Sequence, residues 1–243
     1  MRLGLFGRGR LGSAVLERAA NLPGLEVAWA LEPGEEPGGP VDVALDVSAA
    51  DAAEAHFAWA LERGTDLVIG TTGWTLEPRE LERRLDGRIG LLVASNFSLT
   101  VAFMARVAEA MGRFAALDPA RDPYVFEHHH RLKADAPSGT ALTLARAVMR
   151  GCPRKRSWAL GSARPEQLSL GVLRAGSAFG VHRVGLDAPA ETLEITHSAR
   201  SRAPFAEGAL EACRWIRGRK GLFTMHDLAS DLLDPLFTFG ERP

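Results

Sequence analysis

A glycine-rich turn between a short apolar strand and a helix constrains the fold of this chain more than any other feature. The apolar run Leu3–Phe6 leads into Gly7-Arg8-Gly9-Arg10-Leu11-Gly12, and a helical pattern follows over Ser13–Asn21. Glycines spaced in this way allow a tight turn and let a pyrophosphate approach the backbone at the amino terminus of the helix. The turn therefore predicts a dinucleotide-binding fold rather than a purely structural bend.

The charge that follows the second predicted strand bears on the choice of cofactor. That strand, Leu25–Leu31, ends at Glu32, which stands 20 residues after Gly12. An acid at this position accepts hydrogen bonds from the hydroxyls of an adenine ribose. Because a carboxylate repels a 2′-phosphate, the sequence favours NADH over NADPH, although Arg8 or Arg10 would offset part of that repulsion.

Strand-like and helix-like segments keep alternating through the first part of the chain. The predicted strands lie at 41–47, 67–69 and 91–94, and the predicted helices lie at 50–63 and 77–85. Such alternation is typical of a parallel sheet with right-handed crossovers, so we expect an α/β, Rossmann-like dinucleotide-binding domain over residues 1–97. Ligands of such sheets collect at the carboxyl ends of the strands. The segments that fall there are Gly7, Val47-Ser48, Gly70-Thr71-Thr72 and Asn96-Phe97.

The pattern changes after a long apolar helix predicted at Leu99–Phe114. The strand Tyr124–Phe126 is followed, after one more helix, by short segments at 168–173, 179–186 and 191–197, the last of which alternates apolar and polar residues. This pattern predicts a second, α+β domain with a mixed or antiparallel sheet over residues 98–202. Helical segments at 205–217 and 226–233 close the chain, and we expect residues 203–243 to return to the first domain.

Histidines, a lysine and a helix start follow one another in the segment Glu127–Thr140, which reads EHHHRLKADAPSGT. The lysine carries a fixed positive charge, and an imidazole with an ordinary pKa of about 6.5 donates a proton at neutral pH. The end of the segment predicts a helix that continues to Val148. A helix start offers N–H groups and a partial positive charge to a carboxylate or phosphate. One segment would then bind an anionic substrate and protonate it.

Simpler interpretations of this segment compete with the catalytic one. A histidine triplet also occurs in solvated loops and expression scars, and Ser-Gly-Thr before a helix is commonly only a cap. A closed metal site needs three or four ligands in a defined geometry, whereas adjacent residues on a strand point to opposite faces. Since the next histidine and the cysteines Cys152 and Cys213 lie far away in the sequence, we expect no metal site.

Composition and charge argue against several other classes of protein. The net charge of -1 over 243 residues argues against a nucleic-acid binder, which usually has a strongly basic face. The basic run Arg154–Arg156 is interpreted as a solvated loop. The uncharged stretch Ile89–Ala105 is shorter than the roughly 20 residues of a membrane span, and Ser95–Ser98 breaks it. Two cysteines without a CxxC motif, and no signal peptide, favour a cytoplasmic protein without nucleic-acid or membrane partners.

Taken in order, these motifs resemble the dihydrodipicolinate reductase family nearly from end to end. The resemblance rests on the turn Gly7–Gly12, GTTG at Gly70–Gly73, NFS at Asn96–Ser98, E-x-H-H-x-x-K-x-D-A-P-S-G-T at Glu127–Thr140, G-x-H at Gly180–His182, LEITH at Leu193–His197, and Arg202 with Phe205-Ala206. Two positions depart from the family pattern. Thr100 stands where glycine is common, and Glu32-Pro33 replaces the acid and arginine pair of some members, which removes one arginine that would bind a 2′-phosphate.

The resemblance implies a two-domain enzyme, usually a homotetramer, that uses NADH or NADPH to reduce 4-hydroxy-tetrahydrodipicolinate to tetrahydrodipicolinate in the diaminopimelate route of lysine biosynthesis. By position, His129 matches the proton donor, Lys133 the catalytic lysine and His130 a substrate contact, whereas His128 matches no functional residue. The other matching positions are a substrate carboxylate cradle at Ser138, Gly139 and Thr140 and a nicotinamide lining at Gly70, Thr71, Thr72, Ala94, Ser95, Asn96 and Phe97.

Two other functions share part of this pattern. A different two-domain NAD(P)-dependent dehydrogenase would need the glycine-rich turn and Glu32, but not HHxxK followed by APSGT. A non-catalytic NAD(H) sensor would keep the fold and is expected to have a damaged HHxxK, which is intact here. Because the cofactor and substrate positions fall in different predicted domains, we also expect closure about the crossings at 96–98 and 202–203.

Overall fold

The computed structural model describes residues 1–74 and 76–238. It divides into two compact units, the first formed by Met1–Leu99 with the segment from Arg202 onward and the second by Thr100–Ser201. The elements in chain order are β1 Arg2–Phe6, α1 Arg10–Ala19, β2 Glu26–Leu31, β3 Val43–Asp46, α2 Ala50–Arg63, β4 Asp66–Ile69, α3 Pro78–Leu85, β5 Gly90–Val93, α4 Leu99–Ala116, β6 Asp122–His129, α5 Gly139–Gly151, β7 Ser157–Leu160, β8 Gln167–Arg174, β9 Gly180–Ala188, β10 Glu191–Ala199, α6 Ala203–Ile216, β11 Gly221–Thr224, α7 Met225–Leu233 and a 3-10 helix at Asp234–Phe237.

The first unit contains a parallel sheet with strand order β11-β5-β4-β3-β1-β2, which confirms the Rossmann-like prediction. Strand order reverses at β1, because β2 lies on one side of it and β3 on the other. This reversal opens a crevice at the carboxyl ends of β1 and β3, where such folds bind ligands. β11 was not predicted, since its four residues GLFT are too short to establish a period.

Helices cover both faces of this sheet, which explains why its inner strands are almost continuously apolar. On one face, Leu3 and Leu45 pack with α1 and α6 around Leu210. On the other face, Ala44 and Leu67 belong to a cluster that includes Phe57 of α2. Each large aliphatic side chain buried in this way contributes roughly 1.5–3 kcal/mol to folding. The burial fixes the register of the strands and therefore the position of the loops at their carboxyl ends.

The second unit contains a mixed sheet with strand order β10-β9-β6-β8-β7, as predicted. β9 is antiparallel to β6 and β10, whereas β8 is parallel to β6 and β7. α4 and α5 pack with one face of this sheet around Met104, Leu144 and Val125. The two helices approach closely at glycines, because a Cβ on Gly112 would lie 2.3 Å from the carbonyl oxygen of Val148.

Only Arg156 of the basic run Arg154–Arg156 is exposed, so the run is not the fully solvated loop that the sequence suggested. The side chain of Lys155 is buried, and its Nζ donates to the carbonyl oxygen of Gln167 at 3.0 Å and lies 2.5 Å from Asp122 Oδ1. The guanidinium of Arg154 donates to the carbonyl oxygen of Ala115. These contacts hold the chain between α5 and β7, a short strand that the sequence analysis also missed.

The uncharged stretch Ile89–Ala105 contains the end of a strand and the start of a helix on either side of Ser95–Ser98, since β5 ends at Val93 and α4 begins at Leu99. Over the ranges that the structure describes, no helix combines the length and apolar character needed to cross a bilayer. Cys152 and Cys213 are buried and carry free thiols.

Candidate functional site

The three glycines of the turn after β1 meet different steric demands. Gly7 has φ +96°, and a Cβ on it would lie 2.7 Å from the carbonyl oxygen of Val47. A Cβ on Gly12 would lie 2.0 Å from the carbonyl oxygen of Gly7, so glycine is required where α1 passes the turn. Gly9, the N-cap of α1, faces open space. The backbone at Gly9 is therefore accessible to a diphosphate at the start of a helix, where anions bind well.

Glu32 lies at the carboxyl end of β2 beside the same turn. Its Oε1 is 3.7 Å from Nε of Arg8, and both side chains are about half exposed. Its backbone N–H donates to Glu35 Oε2 at 2.7 Å, while Arg10 is exposed at the start of α1. The acid predicted to repel a 2′-phosphate is thus adjacent to a cation, which reduces that repulsion without removing it.

Asp46, at the end of β3, is a buried carboxylate that the sequence analysis did not single out. It accepts hydrogen bonds from the amide and hydroxyl of Ser48 at 2.9 and 2.6 Å and from Thr71 Oγ1 at 2.7 Å, and it lies 2.8 Å from His56 Nδ1. Burial raises the pKa of Asp46, but the donors on His56 and Ser48 outweigh it and keep the pKa below its usual value. Asp46 therefore ties together the loops that follow β3 and β4.

The predicted nicotinamide positions fall on two neighbouring loops. Gly70 contacts the buried ring of Phe97 so closely that a Cβ on it would lie 2.4 Å from that ring. The hydroxyl of Thr71 is buried and engaged by Asp46, whereas Thr72 is exposed. On the second loop Ala94 is buried and Ser95 is exposed, and Asn96 Oδ1 accepts the N–H of Ser98 at 2.9 Å. The structure brings the two loops together, and it gives Thr71 and Phe97 internal contacts rather than exposed ones.

In the second unit, strand register brings several polar side chains together. Val125, Glu127 and His129 point to one face of β6, because successive side chains of a strand alternate. Val184 lies opposite Val125 on β9, and His182 lies opposite Glu127. Both valines are buried in the core beneath α4 and α5. Glu127 and His182 therefore lie on the same face of the sheet, next to this apolar core. No role was predicted for Glu127 or His182, although the motif G-x-H at 180–182 contains His182.

Glu127 is the centre of this polar network and is fully buried. Its Oε1 accepts the backbone N–H of Ser138 at 2.9 Å and Nη2 of Arg174 at 2.8 Å. Its Oε2 lies 3.3 Å from Nδ1 of His129 and 3.7 Å from Nε2 of His182. The imidazoles of these two histidines are 5.0 Å apart between centroids. A single carboxylate therefore contacts the helix start, a guanidinium and two imidazoles.

His129 is buried, which changes its acidity. Burial is the largest cause that lowers the pKa of His129 from 6.5 to about 4, with the charge of His182 next, while Glu127 acts in the opposite direction. The ordinary pKa on which the sequence analysis based proton donation is therefore wrong for His129 in this structure. At neutral pH its imidazole is neutral, and it acquires a proton only when negative charge comes close.

The helix start beside His129 has the predicted form. Ser138 is the N-cap of α5, its Oγ accepts the N–H of Ala141 at 3.1 Å, and the same Oγ lies 3.3 Å from His182 Nε2. Both polar groups of Ser138 are thus engaged within the protein. Gly139 is exposed and has open space where a Cβ would lie, and Thr140 follows it in the first turn. The accessible part of the predicted carboxylate cradle is the helix start at Gly139.

The other residues of the histidine segment lie around this network. Lys133 is partly exposed, and its Nζ donates to Asp135 Oδ1 at 2.6 Å. The N–H of His130 donates to the carbonyl oxygen of Ala178 at 2.8 Å. His128 points to the opposite face of β6 from His129, and its Nε2 lies 3.0 Å from the carbonyl oxygen of Ala175. Lys133 is close enough to lower the pKa of His129, so the predicted catalytic pair shares one environment.

Distance along the sequence proved a poor guide to which histidines are neighbours. The fold brings His182 beside Glu127 and His129, and one donor atom from each residue lies within 4.8 Å of the others. The carboxylate already binds the guanidinium of Arg174, which disfavours a cation beside it. We therefore interpret these contacts as a proton-sharing network.

Comparison with known proteins identifies the family. The model of the dihydrodipicolinate reductase amino terminus matches residues 35–97, and the model of the carboxyl terminus matches residues 97–229. The chain belongs to the dihydrodipicolinate reductase family. Among similar curated proteins, the 4-hydroxy-tetrahydrodipicolinate reductase of Christiangramia forsetii is 31% identical and covers 96% of this chain and 99% of its own. That of Laribacter hongkongensis is 32% identical and covers 90% and 94%.

A solved structure supports the fold of this dihydrodipicolinate reductase family member. The dipicolinate-bound dihydrodipicolinate reductase of Paenisporosarcina sp. TG-14 superposes with a TM-score of 0.76 over 92% of this chain and 97% of its own, at 21% identity. A probable dehydrogenase from Thermotoga maritima gives a TM-score of 0.56 at 10% identity, over 96% of this chain and 94% of its own. These likenesses extend over both units of the fold.

Proposed function

We propose that the chain catalyses the NAD(P)H-dependent reduction of 4-hydroxy-tetrahydrodipicolinate to tetrahydrodipicolinate, a step of the diaminopimelate route of lysine biosynthesis. The observation that carries this proposal is the convergence of His129, His182 and the start of α5 on one buried carboxylate, Glu127. Lys133 lies close enough to His129 to lower its pKa. Curated relatives that are named for this activity match the chain over nearly their whole length. We propose that residues 1–97 form the domain that binds the cofactor and residues 98–202 the domain that binds the substrate. Residues 203–243 would then return to the cofactor-binding domain.

The substrate side of the proposal follows from charge. A dicarboxylate needs positive charge at both ends, and the start of α5 provides N–H groups and a helix dipole for one carboxylate at Gly139 and Thr140. Lys133 and His130 balance the remaining negative charge. Ser138 acts as the cap that orients this helix start, because Glu127 and Ala141 occupy its amide and hydroxyl.

The proton comes from His129, whose imidazole becomes protonated when the substrate binds. A carboxylate held about 4 Å away at an effective dielectric constant of about 20 stabilises an imidazolium by about 4 kcal/mol. That is enough to raise a pKa of about 4 to about 7, because one pKa unit corresponds to about 1.4 kcal/mol. His129 is thus neutral in the resting protein and becomes an acid when a dicarboxylate is bound. It then protonates the ring at the position where electron density builds up.

The cofactor fits the first unit on steric grounds. When bound, reduced nicotinamide supplies the hydride from C4. Gly7–Gly12 would hold the diphosphate, the loops at Gly70–Thr72 and Ala94–Phe97 would line the nicotinamide, and Glu32 would contact the adenine ribose. We propose NADH as the preferred cofactor, because Glu32 is only partly neutralised by Arg8. Catalysis then requires the two units to bring their ligands together.

We further propose a cytoplasmic homotetramer assembled through the sheet of the second unit. The family supports this proposal, and sedimentation of the purified chain tests it.

The deciding experiment couples the chain to the synthase that produces its substrate and follows consumption of NADH and NADPH. We expect oxidation of the cofactor that depends on the synthase product. A sensor would bind NADH without turnover, and a dehydrogenase of another specificity would be inactive in this assay while oxidising the cofactor with a different substrate. Either result would contradict the proposed function.

A further inference from the structure

The carboxylate of Glu127 has two unequal oxygens. Its Oε1 is occupied by the amide of Ser138 and the guanidinium of Arg174. Its Oε2 faces Nδ1 of His129 at 3.3 Å and Nε2 of His182 at 3.7 Å. Within the part of the chain that the structure describes, Oε2 and His129 Nδ1 are both buried and neither has a hydrogen-bond partner of good geometry. Buried polar atoms are nearly always paired, so a proton shared between these two atoms is the arrangement that satisfies both.

The charge on Glu127 decides which atom carries that proton. Burial raises the pKa of Glu127, but the facing donors on His182, Ser138 and Arg174 outweigh burial and hold the pKa well below its usual range. An ionised carboxylate only accepts hydrogen bonds. In the neutral imidazole of His129, Nδ1 therefore carries the hydrogen, and Nε2 is left with the lone pair.

Gly180, at the start of β9, leaves space on the other side of the same imidazole. A Cβ at this position would lie 3.1 Å from Nε2 and 3.3 Å from Cδ2 of His129. Such a contact is closer than van der Waals packing allows without displacement. Glycine at this position therefore leaves room beside Nε2, whereas Nδ1 faces Glu127.

We propose that Glu127 is a positioning residue that keeps the hydrogen of neutral His129 on Nδ1, so that Nε2 is the atom that takes up and delivers the catalytic proton. On substrate binding, Nε2 gains a proton from solvent, and after hydride transfer it gives that proton to the reduced ring. The proton on Nδ1 and the charge on Glu127 remain in place throughout. The delivery step rests on the proposed function, whereas the tautomer is a property of the resting protein.

Nitrogen-15 spectra of histidine-labelled full-length protein test the tautomer directly, because the two ring nitrogens of a neutral imidazole resonate at well-separated positions. Magic-angle-spinning measurements suit any oligomeric state, and the difference from His129→Gln assigns the signals. We expect a protonated Nδ1 and an unprotonated Nε2 for His129 at neutral pH. The reverse tautomer in the wild-type protein would overturn the proposal whether or not any variant folds.

The Glu127→Gln variant tests the consequence for catalysis. A glutamine can turn its NH₂ group toward Nδ1, which moves the hydrogen of His129 to Nε2 and removes the negative charge that supports the imidazolium. We expect the tautomer to switch and kcat to fall on the order of 10² to 10⁴-fold, the range for lost acid catalysis. The matched control is Glu109→Gln, which changes a surface carboxylate of the same unit that pairs with Arg113 and Arg150, and it should leave both observables unchanged.

Gly180→Ala provides a second variant that leaves the carboxylate untouched. It should keep the hydrogen on Nδ1 and lower kcat, because the added methyl group obstructs Nε2. Unchanged kcat in both Glu127→Gln and Gly180→Ala would refute the assignment. If the wild-type protein carries the hydrogen on Nδ1 but does not turn over the substrate, the proposed function fails while the tautomer stands. If the protein turns over the substrate but carries the hydrogen on Nε2, the proposed function stands while the tautomer assignment fails.

Discussion

Acidification should weaken the second unit through His129, and removing this imidazole should abolish most of the effect. The folded protein depresses the pKa of His129 from 6.5 to about 4, so folding favours its neutral form. The associated stability is complete above the unfolded pKa of about 6.5 and is lost as the pH falls toward the folded pKa. The shift corresponds to about 3 kcal/mol in total, since one pKa unit is about 1.4 kcal/mol. By about pH 5, the loss should reach about 2 kcal/mol.

Hydrogen exchange at amides of β6 and β9 measures this loss, because it reports the opening free energy of the second unit alone once the intrinsic pH dependence is removed. The comparison is between the wild-type protein and His129→Gln. His197 also has a pKa lowered by burial, so some decline remains in the variant. The folded protein favours the charged form of Glu127, because its pKa is lowered from 4.5. The stability that Glu127 contributes is therefore also lost on acidification, but only below about pH 4.5. Equal declines in the wild-type protein and the variant between about pH 7 and 5 would refute the reasoning.

Four further predictions concern binding and turnover. His129→Gln should lower kcat by about 10² to 10⁴-fold with a similar KM, and steady-state assays that find full kcat would remove His129 from the mechanism. Thr140→Val should mainly raise KM because a carboxylate contact is lost, and the same assays contradict this if only kcat changes. Binding of 2,6-pyridinedicarboxylate near neutral pH should take up a proton at His129, which calorimetry in buffers of different ionisation enthalpy detects; buffer-independent heats would be inconsistent with it. The ratio kcat/KM should be higher for NADH than for NADPH, and a strong preference for NADPH would show that Arg8 dominates Glu32.

The first unit was largely predictable because its signals are local. Strands such as β4 contain continuous apolar runs. Gly7 and Gly12 of the turn after β1 are required by contacts within the turn or with the residues that follow the adjacent strand β3. The short strand β11 escaped prediction because it depends on pairing with β5, which lies far away in the sequence. Lys155 escaped for a related reason, since its partners Gln167 and Asp122 come from two other strands.

The candidate site was predictable in its residue types but not in its arrangement. The segment around His129 predicted a proton carrier and a helix start, and the structure has the helix start at Gly139. The role of Glu127 depends on His182, which meets it only through the register of β6 with β9. The lowered pKa of His129 depends on burial beneath the same packed elements. Such properties arise from tertiary contacts, which no pattern of neighbouring residues contains.

The register of β6 also makes the surroundings of the three consecutive imidazoles different from one another. A slip of one residue would turn His128 or His130 inward, and an imidazole would still face the core. The residue two positions before His128 is Phe126, and the residue two positions before His130 is His128, so neither slipped arrangement would place a carboxylate behind the ring. Glu127 thus distinguishes the observed register of β6 from the two registers shifted by one residue.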